Sequence, residues 1–144
     1  MSSIDTSYLE KCIKTLEKAF SLLKNSNQDD LDYELFRSAS IKEFEIILEQ
    51  CGKLLRKVLK PYYHSSKAVD QLYFKEVFKQ CVLRSIISIE LCERFLVYRD
   101  CRNNTAHEYG VNFAEEILLL LPEFIADSKT IVEAIKNQPD DIKG

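Results

Sequence analysis

Apolar residues recur at intervals of three and four along most of the chain, the spacing that lines up side chains on one face of an α-helix. The first stripe is Leu9, Cys12, Ile13, Leu16, Ala19, Phe20 and Leu23, with Ser7 and Glu10 spaced for a capping box at its start and a polar break over residues 25–30. A second, longer stripe takes in Phe36, Phe44, Ile47, Leu48, Cys51, Leu55, Val58 and Leu59 and stops before Pro61; Gly52 is a weak point inside it. Phe74, Val77, Phe78, Cys81 and Val82 form a third helical pattern that fades at Arg84 and Ser85. Ser88 is placed to cap a fourth helix, whose inward residues are Leu91, Cys92, Phe95 and Leu96 and which runs to about Gly110. Asn112 and Glu115 then open a fifth, which carries Ile117, Leu118, Leu121, Phe124, Ile131 and Ile135 and which Pro122 is expected to kink or divide. The pattern predicts an all-α protein, an up-and-down antiparallel helical bundle of four to five helices. It forms a single domain over residues 1–144, with its core at about 7–136.

Composition narrows this reading. Three glycines and three prolines in 144 residues are too few for a β-sandwich with its many turns. The 20 basic and 23 acidic residues leave a net charge of −3, so any contact with a polynucleotide must be local. The opening residues lack the basic start and apolar stretch of a signal peptide, and no apolar run is long enough to span a membrane, so a cytoplasmic protein without membrane contact is expected. Cys12, Cys51, Cys81, Cys92 and Cys101 form no Cys-x-x-Cys pair and lie on helical stretches, which suits reduced packing thiols. Neither histidine has a glutamate three residues before it, and the histidines and cysteines never reach zinc-ligand spacing, so no metal and no cofactor is expected. His64 reads as an exposed loop residue, and Arg37 as a surface charge rather than a phosphate contact.

The segment from Tyr98 to Gly110, YRDCRNNTAHEYG, is unusually polar for a helix end in a small bundle. A guanidinium, two amides, a hydroxyl, an imidazole and a phenol within eight positions are suited to a phosphodiester: Arg102 to neutralise charge on phosphoryl oxygens, His107 to accept or return a proton. At about 100° per residue, Arg102 and His107 lie about 140° apart on a regular helix, whereas Asn103 and His107 share a face. Arg102 and His107 can therefore meet only if the helix end unwinds or if a two-fold dimer brings two segments across one cleft. The same residues also suit a plainer role, because cations and amides at a helix C-terminus satisfy its free carbonyls and its dipole. Around the segment, Lys79, Arg84, Arg94, Arg99 and Arg102 stand against Glu90, Glu93, Asp100 and Glu108, which outlines no broad basic surface.

Residues 102–109, RNNTAHEY, resemble the Arg-Asn-x-Thr-x-His-x-Tyr signature of HEPN-domain proteins of the nucleotidyltransferase substrate-binding type. The stretch from Leu35 to Glu45 resembles that family's second-helix start, and Phe95 occupies its aromatic position before the arginine. Family members often carry an acidic residue directly before the arginine; here Cys101 stands there and Asp100 one place earlier.

The resemblance implies a homodimeric helical bundle paired with a cognate minimal nucleotidyltransferase. In many such pairs the helical protein is a toxin, a metal-independent endoribonuclease, and the nucleotidyltransferase is its antitoxin. On this basis Arg102 and His107 are the expected catalytic pair with Asn103 assisting, and RNA rather than DNA is the substrate because the attack uses a 2′-hydroxyl. Tyr109 matches a tyrosine that some partners modify with AMP. The alternative is a non-catalytic subunit that presents its cleft, or Tyr109, to the nucleotidyltransferase.

Overall fold

The computed structural model describes residues 3–105 and 111–139. Among them are six helices and no strand: α1 (Ser7–Lys24), α2 (Leu31–Leu59), α3 (Ser66–Asp70), α4 (Phe74–Leu83), α5 (Ile89–Thr105) and α6 (Val111–Lys136), with a 3₁₀ turn at Lys60–Tyr62. The 29-residue α2 is the axis of the fold and touches each of the other five helices. Lys136 pairs with Glu10 and Lys129 with Glu17, so α1 and α6 run in opposite senses. Tyr33 and Arg37 reach Glu115 while Phe44 packs on Phe124, so α2 and α6 run in the same sense. The all-α bundle expected from the apolar stripes is the observed architecture.

The stripes become the core almost residue for residue. Leu9 and Leu16 of α1, Phe44, Ile47, Leu48, Cys51 and Leu55 of α2, Val77 and Phe78 of α4, Phe95 of α5 and Ile117, Leu121 and Phe124 of α6 are fully or almost fully buried. At about 25 cal/mol per Å² of apolar surface removed from water, this contiguous cluster is the main force holding the helices together. Within it runs a chain of aromatic contacts: Phe74 on Phe78 (centroids 4.5 Å), Phe78 on Phe95 (5.1 Å), Phe95 on Tyr98 (5.2 Å), Tyr98 on Phe124 (4.9 Å) and Phe124 on Phe44 (4.6 Å). Four of the five cysteines are buried in the same interior.

Several local expectations need correction. Ser7 does not cap α1: it already lies in the helix, and its amide and hydroxyl donate to Asp5 Oδ1 at 2.9 and 2.6 Å. Glu10 instead accepts from the hydroxyl of Thr6, the residue that precedes the helix, at 2.7 Å. Pro122 does not divide α6, because the buried side chains of Leu121 and Phe124 anchor the helix beside the missing amide. Asn112 already lies inside α6, and the α2–α4 connection contains a short helix, capped where Ala68 N–H donates to Ser65 Oγ. Ser88 does cap α5, accepting from Leu91 N–H at 3.1 Å, and His64 is exposed as expected.

α4 ends in a Schellman motif: Ile86 N–H donates to Cys81 carbonyl at 2.9 Å and Ser85 N–H to Val82 carbonyl at 3.0 Å. This places Ser85 at a φ of 60°, a conformation that suits glycine and is strained for serine. Ser85→Gly is therefore expected to raise stability, by up to about 1 kcal/mol after the added chain entropy of glycine is deducted. Urea unfolding of the two proteins checks it, with the midpoint moving up and the slope unchanged.

Candidate functional site

The polar segment begins on α5, and α5 is fixed in angle by one buried carboxylate. Asp127 of α6 is 6% exposed and accepts three hydrogen bonds from α5: from Arg94 Nε at 2.8 Å, Arg94 Nη2 at 3.1 Å and Tyr98 Oη at 2.6 Å. The Arg94 contact is the bidentate fork that a guanidinium makes with a carboxylate. Burial, followed by the hydrogen bond to Asp127 and its charge, pushes the Tyr98 phenol well above the usual tyrosine range. Leu91, Cys92, Phe95 and Tyr98 face the core, so Arg99, Asp100 and Asn103 face outward on the adjoining side of the helix.

On that outer side a groove of about 430 Å³ is lined by Tyr73, Phe74, Lys75, Arg99, Asp100 and Asn103. A second hollow of about 300 Å³ shares Phe74 and Arg99 with it and is lined by Lys53, Arg56 and Glu49 of α2. Arg99 lies over the Phe74 ring, its guanidinium carbon 4.8 Å from the centroid. Arg56 is held by donation from Nη2 to the Leu72 carbonyl at 2.8 Å. The Arg99 guanidinium is lowered from its ordinary pKa by burial first and then by the charges of Arg102 and Arg56, with Glu49 opposing.

Of the expected site residues, Asn103 is exposed and lines the groove, four residues after Arg99 and on the same face. Arg102 is half-buried in the last turn of α5, close enough for its charge to act on Arg99. His107 and Tyr109 lie outside the described residues. Arg94, counted among the local cations in the sequence, is committed to Asp127. Arg37, expected as a surface charge, is partly exposed, pairs with Glu115 at 3.6 Å and lies over the Tyr33 ring. Burial and the nearby Glu116 and Asp100 push the Cys101 thiol up, which disfavours a reactive thiolate.

The contributions of Lys53, Arg56, Tyr73 and Phe74 to this region were not legible in the motif, because they arrive from α2 and α4. The one signal in the sequence was Gly52 in the middle of a long apolar stripe. A Cβ there would lie 3.1 Å from Phe74 Cδ2, so the glycine lets the Phe74 ring seat closely against α2.

Fold and site together define an all-α bundle with a cationic, amide-bearing helix end beside a groove. The chain belongs to the family described as nucleotidyltransferase substrate binding protein like, which matches residues 5–137. It is 19% identical over 139 residues, spanning 94% of each chain, to a protein of Haemophilus influenzae (strain ATCC 51907 / DSM 11121 / KW20 / Rd) named probable ribonuclease HepT. No solved structure matches it. Among the described residues no helix is long and apolar enough to cross a membrane.

Tyr98→Phe removes one of the three hydrogen bonds to Asp127 and is expected to cost about 1 kcal/mol at neutral pH. The phenol stays protonated in the folded chain above pH 10.0, where an unperturbed tyrosine ionises. The unfolded chain then binds fewer protons, and stability falls as pH rises. Tyr98→Phe is expected to make that alkaline fall shallower by as much as about 1.4 kcal/mol per pH unit. Denaturant titrations at pH 7 and between pH 10 and 11 check both effects.

Proposed function

We propose that the protein is the ribonuclease toxin of a pair formed with a minimal nucleotidyltransferase, acting as a homodimer through Arg102 and His107 with Asn103 assisting. The observation that best supports this is the position of the motif's first two residues. Asn103 lines an open groove beside Arg99, where an extended polyanion has access, and Arg102 precedes it in the last turn of α5. The family match and the printed name of the Haemophilus influenzae relative support the same reading.

In this reading a ribose 2′-hydroxyl gives its proton to the His107 imidazole and attacks the adjacent phosphorus. The bond from phosphorus to the 5′-oxygen breaks, that oxygen takes a proton from an imidazolium, and the products are a 2′,3′-cyclic phosphate and a free 5′-hydroxyl. Arg102 stabilises the charge that develops on the phosphoryl oxygens, and Asn103 supplies a neutral donor. Arg102 and His107 would lie too far apart around a regular helix to act on one phosphate, and of the two ways to bring them together, an unwound helix end or a second copy, this reading takes the dimer, with a segment from each copy.

Arg102→Ala and His107→Ala are each expected to lower cleavage of single-stranded RNA by about 10²- to 10⁴-fold. Cleavage by the parent is expected to persist in chelator and to leave cyclic phosphate ends, which periodate resistance and phosphatase sensitivity after acid opening detect. Equal rates for the parent and both variants would end the proposal.

The family description favours a second reading, in which the chain is a non-catalytic partner of the nucleotidyltransferase and Tyr109 accepts AMP from ATP with release of pyrophosphate. Expression of the chain alone separates the two. The toxin reading expects growth arrest that co-expression of the nucleotidyltransferase relieves and that His107→Ala abolishes. The second reading expects no arrest, and a mass increase of AMP that Tyr109→Phe removes.

A further inference from the structure

Four basic side chains line two hollows that share Phe74 and Arg99: Lys75 and Arg99 with Asp100 in the first, and Lys53, Arg56 and Arg99 with Glu49 in the second. Arg99 is partly desolvated and repelled by Arg56 and Arg102, and Arg56 Nε is buried without a hydrogen-bond partner among the described residues. The close seat of Phe74 also depends on a glycine in the interior of α2, a residue that weakens a helix relative to alanine. Gly52 admits the Phe74 ring, and Phe74 supports the Arg99 guanidinium at the entrance to the motif. At the rim Tyr73 is 77% exposed, a large aromatic side chain left in water directly beside the cations.

Cations around shared walls, two of them anchored, next to an open aromatic ring match the chemistry that holds a single-stranded nucleic acid: charge for the backbone, a π-face for a base. We propose that this groove is a substrate-binding subsite for single-stranded RNA, in which Arg99, Arg56, Lys53 and Lys75 hold the phosphates flanking the bond presented to Arg102 and Asn103, and the Tyr73 ring stacks on a base. The choice of ligand rests on the ribonuclease reading. The subsite itself consists of residues outside the motif, so it sets the path and register of the strand and leaves the bond chemistry to the motif. Arg99 belongs to both regions, since it shares a helix face with Asn103 and lies within reach of Arg102's charge.

The test is binding without turnover. In the full-length protein carrying His107→Ala, the affinity for a fluorescein-labelled 12-nucleotide single-stranded RNA is measured by anisotropy between 50 and 200 mM salt, and Lys53→Ala, Lys75→Ala and Tyr73→Ala are each added to that background. All three side chains are exposed, so the fold is retained. Each lysine variant is expected to weaken binding by about threefold or more and to reduce the steepness of the log–log salt dependence by about 0.7. Tyr73→Ala is expected to weaken binding by about fivefold to a hundredfold with the salt dependence unchanged. Arg84→Gln, which changes a cation at the far end of α4 lying over Tyr62, is expected to leave affinity unaltered.

Affinity unchanged in Lys53→Ala, Lys75→Ala and Tyr73→Ala overturns the subsite, even if the parent cleaves RNA in a His107-dependent way. Groove-dependent binding by a chain that never cleaves sustains the subsite and removes the ribonuclease. If the three variants lose affinity for a nucleotidyltransferase partner and keep it for RNA, the face belongs to a protein and the proposal fails.

Discussion

The structure depends on the need of one buried carboxylate for donors. Asp127 lies on α6 with 6% of its surface exposed, and a carboxylate so placed needs hydrogen-bond donors on both oxygens. Arg94 and Tyr98 supply those bonds from α5, one helical turn apart, so the rotation of α5 about its axis is fixed at two points. Hydrophobic burial alone would tolerate a modest rotation of α5, because Phe95 and Leu91 would still be covered. The hydrogen bonds do not, and they therefore decide which residues of the following turn face the groove. Arg99 and Asn103 are directed outward because Tyr98 is directed inward.

The aromatic contacts carry this constraint to the other side of the site. Tyr98 packs edge-on against Phe95 and Phe124, Phe95 stacks on Phe78, and Phe78 meets Phe74, where Arg99 lies. Rings of this size have few rotamers and no room to shift in a close-packed interior, so the position of α5 fixes that of the Phe74 ring. Gly52 completes the arrangement from α2 by leaving space for that ring. The basic groove is in this sense the outer surface of the core, with cations attached to side chains that pack for stability.

This explains why the fold was readable from the chain and the site only in part. Buried helical faces obey a period of 3.6, and residues such as Leu9, Phe44 and Phe124 declare themselves by spacing alone. Capping is decided by single hydrogen bonds, so Ser88 was legible while Ser7 gave way to Thr6, whose hydroxyl bonds Glu10. Arg102 and Asn103 stood out because they belong to one short polar run. Lys53, Arg56 and Tyr73 lie 26 or more positions earlier and carry no local signature; only packing brings them beside Arg99. Arg94 illustrates the opposite failure, a cation that a local charge count includes although Asp127 has already neutralised it.

The same distinction governs how an acidic chain can hold a polyanion. A net charge of −3 gives no general attraction, and beyond a screening length of about 8 Å the remote carboxylates and lysines cancel and fade. Along the two hollows the cations share walls at Phe74 and Arg99, and the charges of Arg102 and Arg56 lower the Arg99 guanidinium from its ordinary pKa. Cations that already repel one another there gain more from an incoming phosphate than the same number spread over a surface, because the ligand relieves their repulsion as well as pairing with them. Placement by the core therefore substitutes for bulk charge.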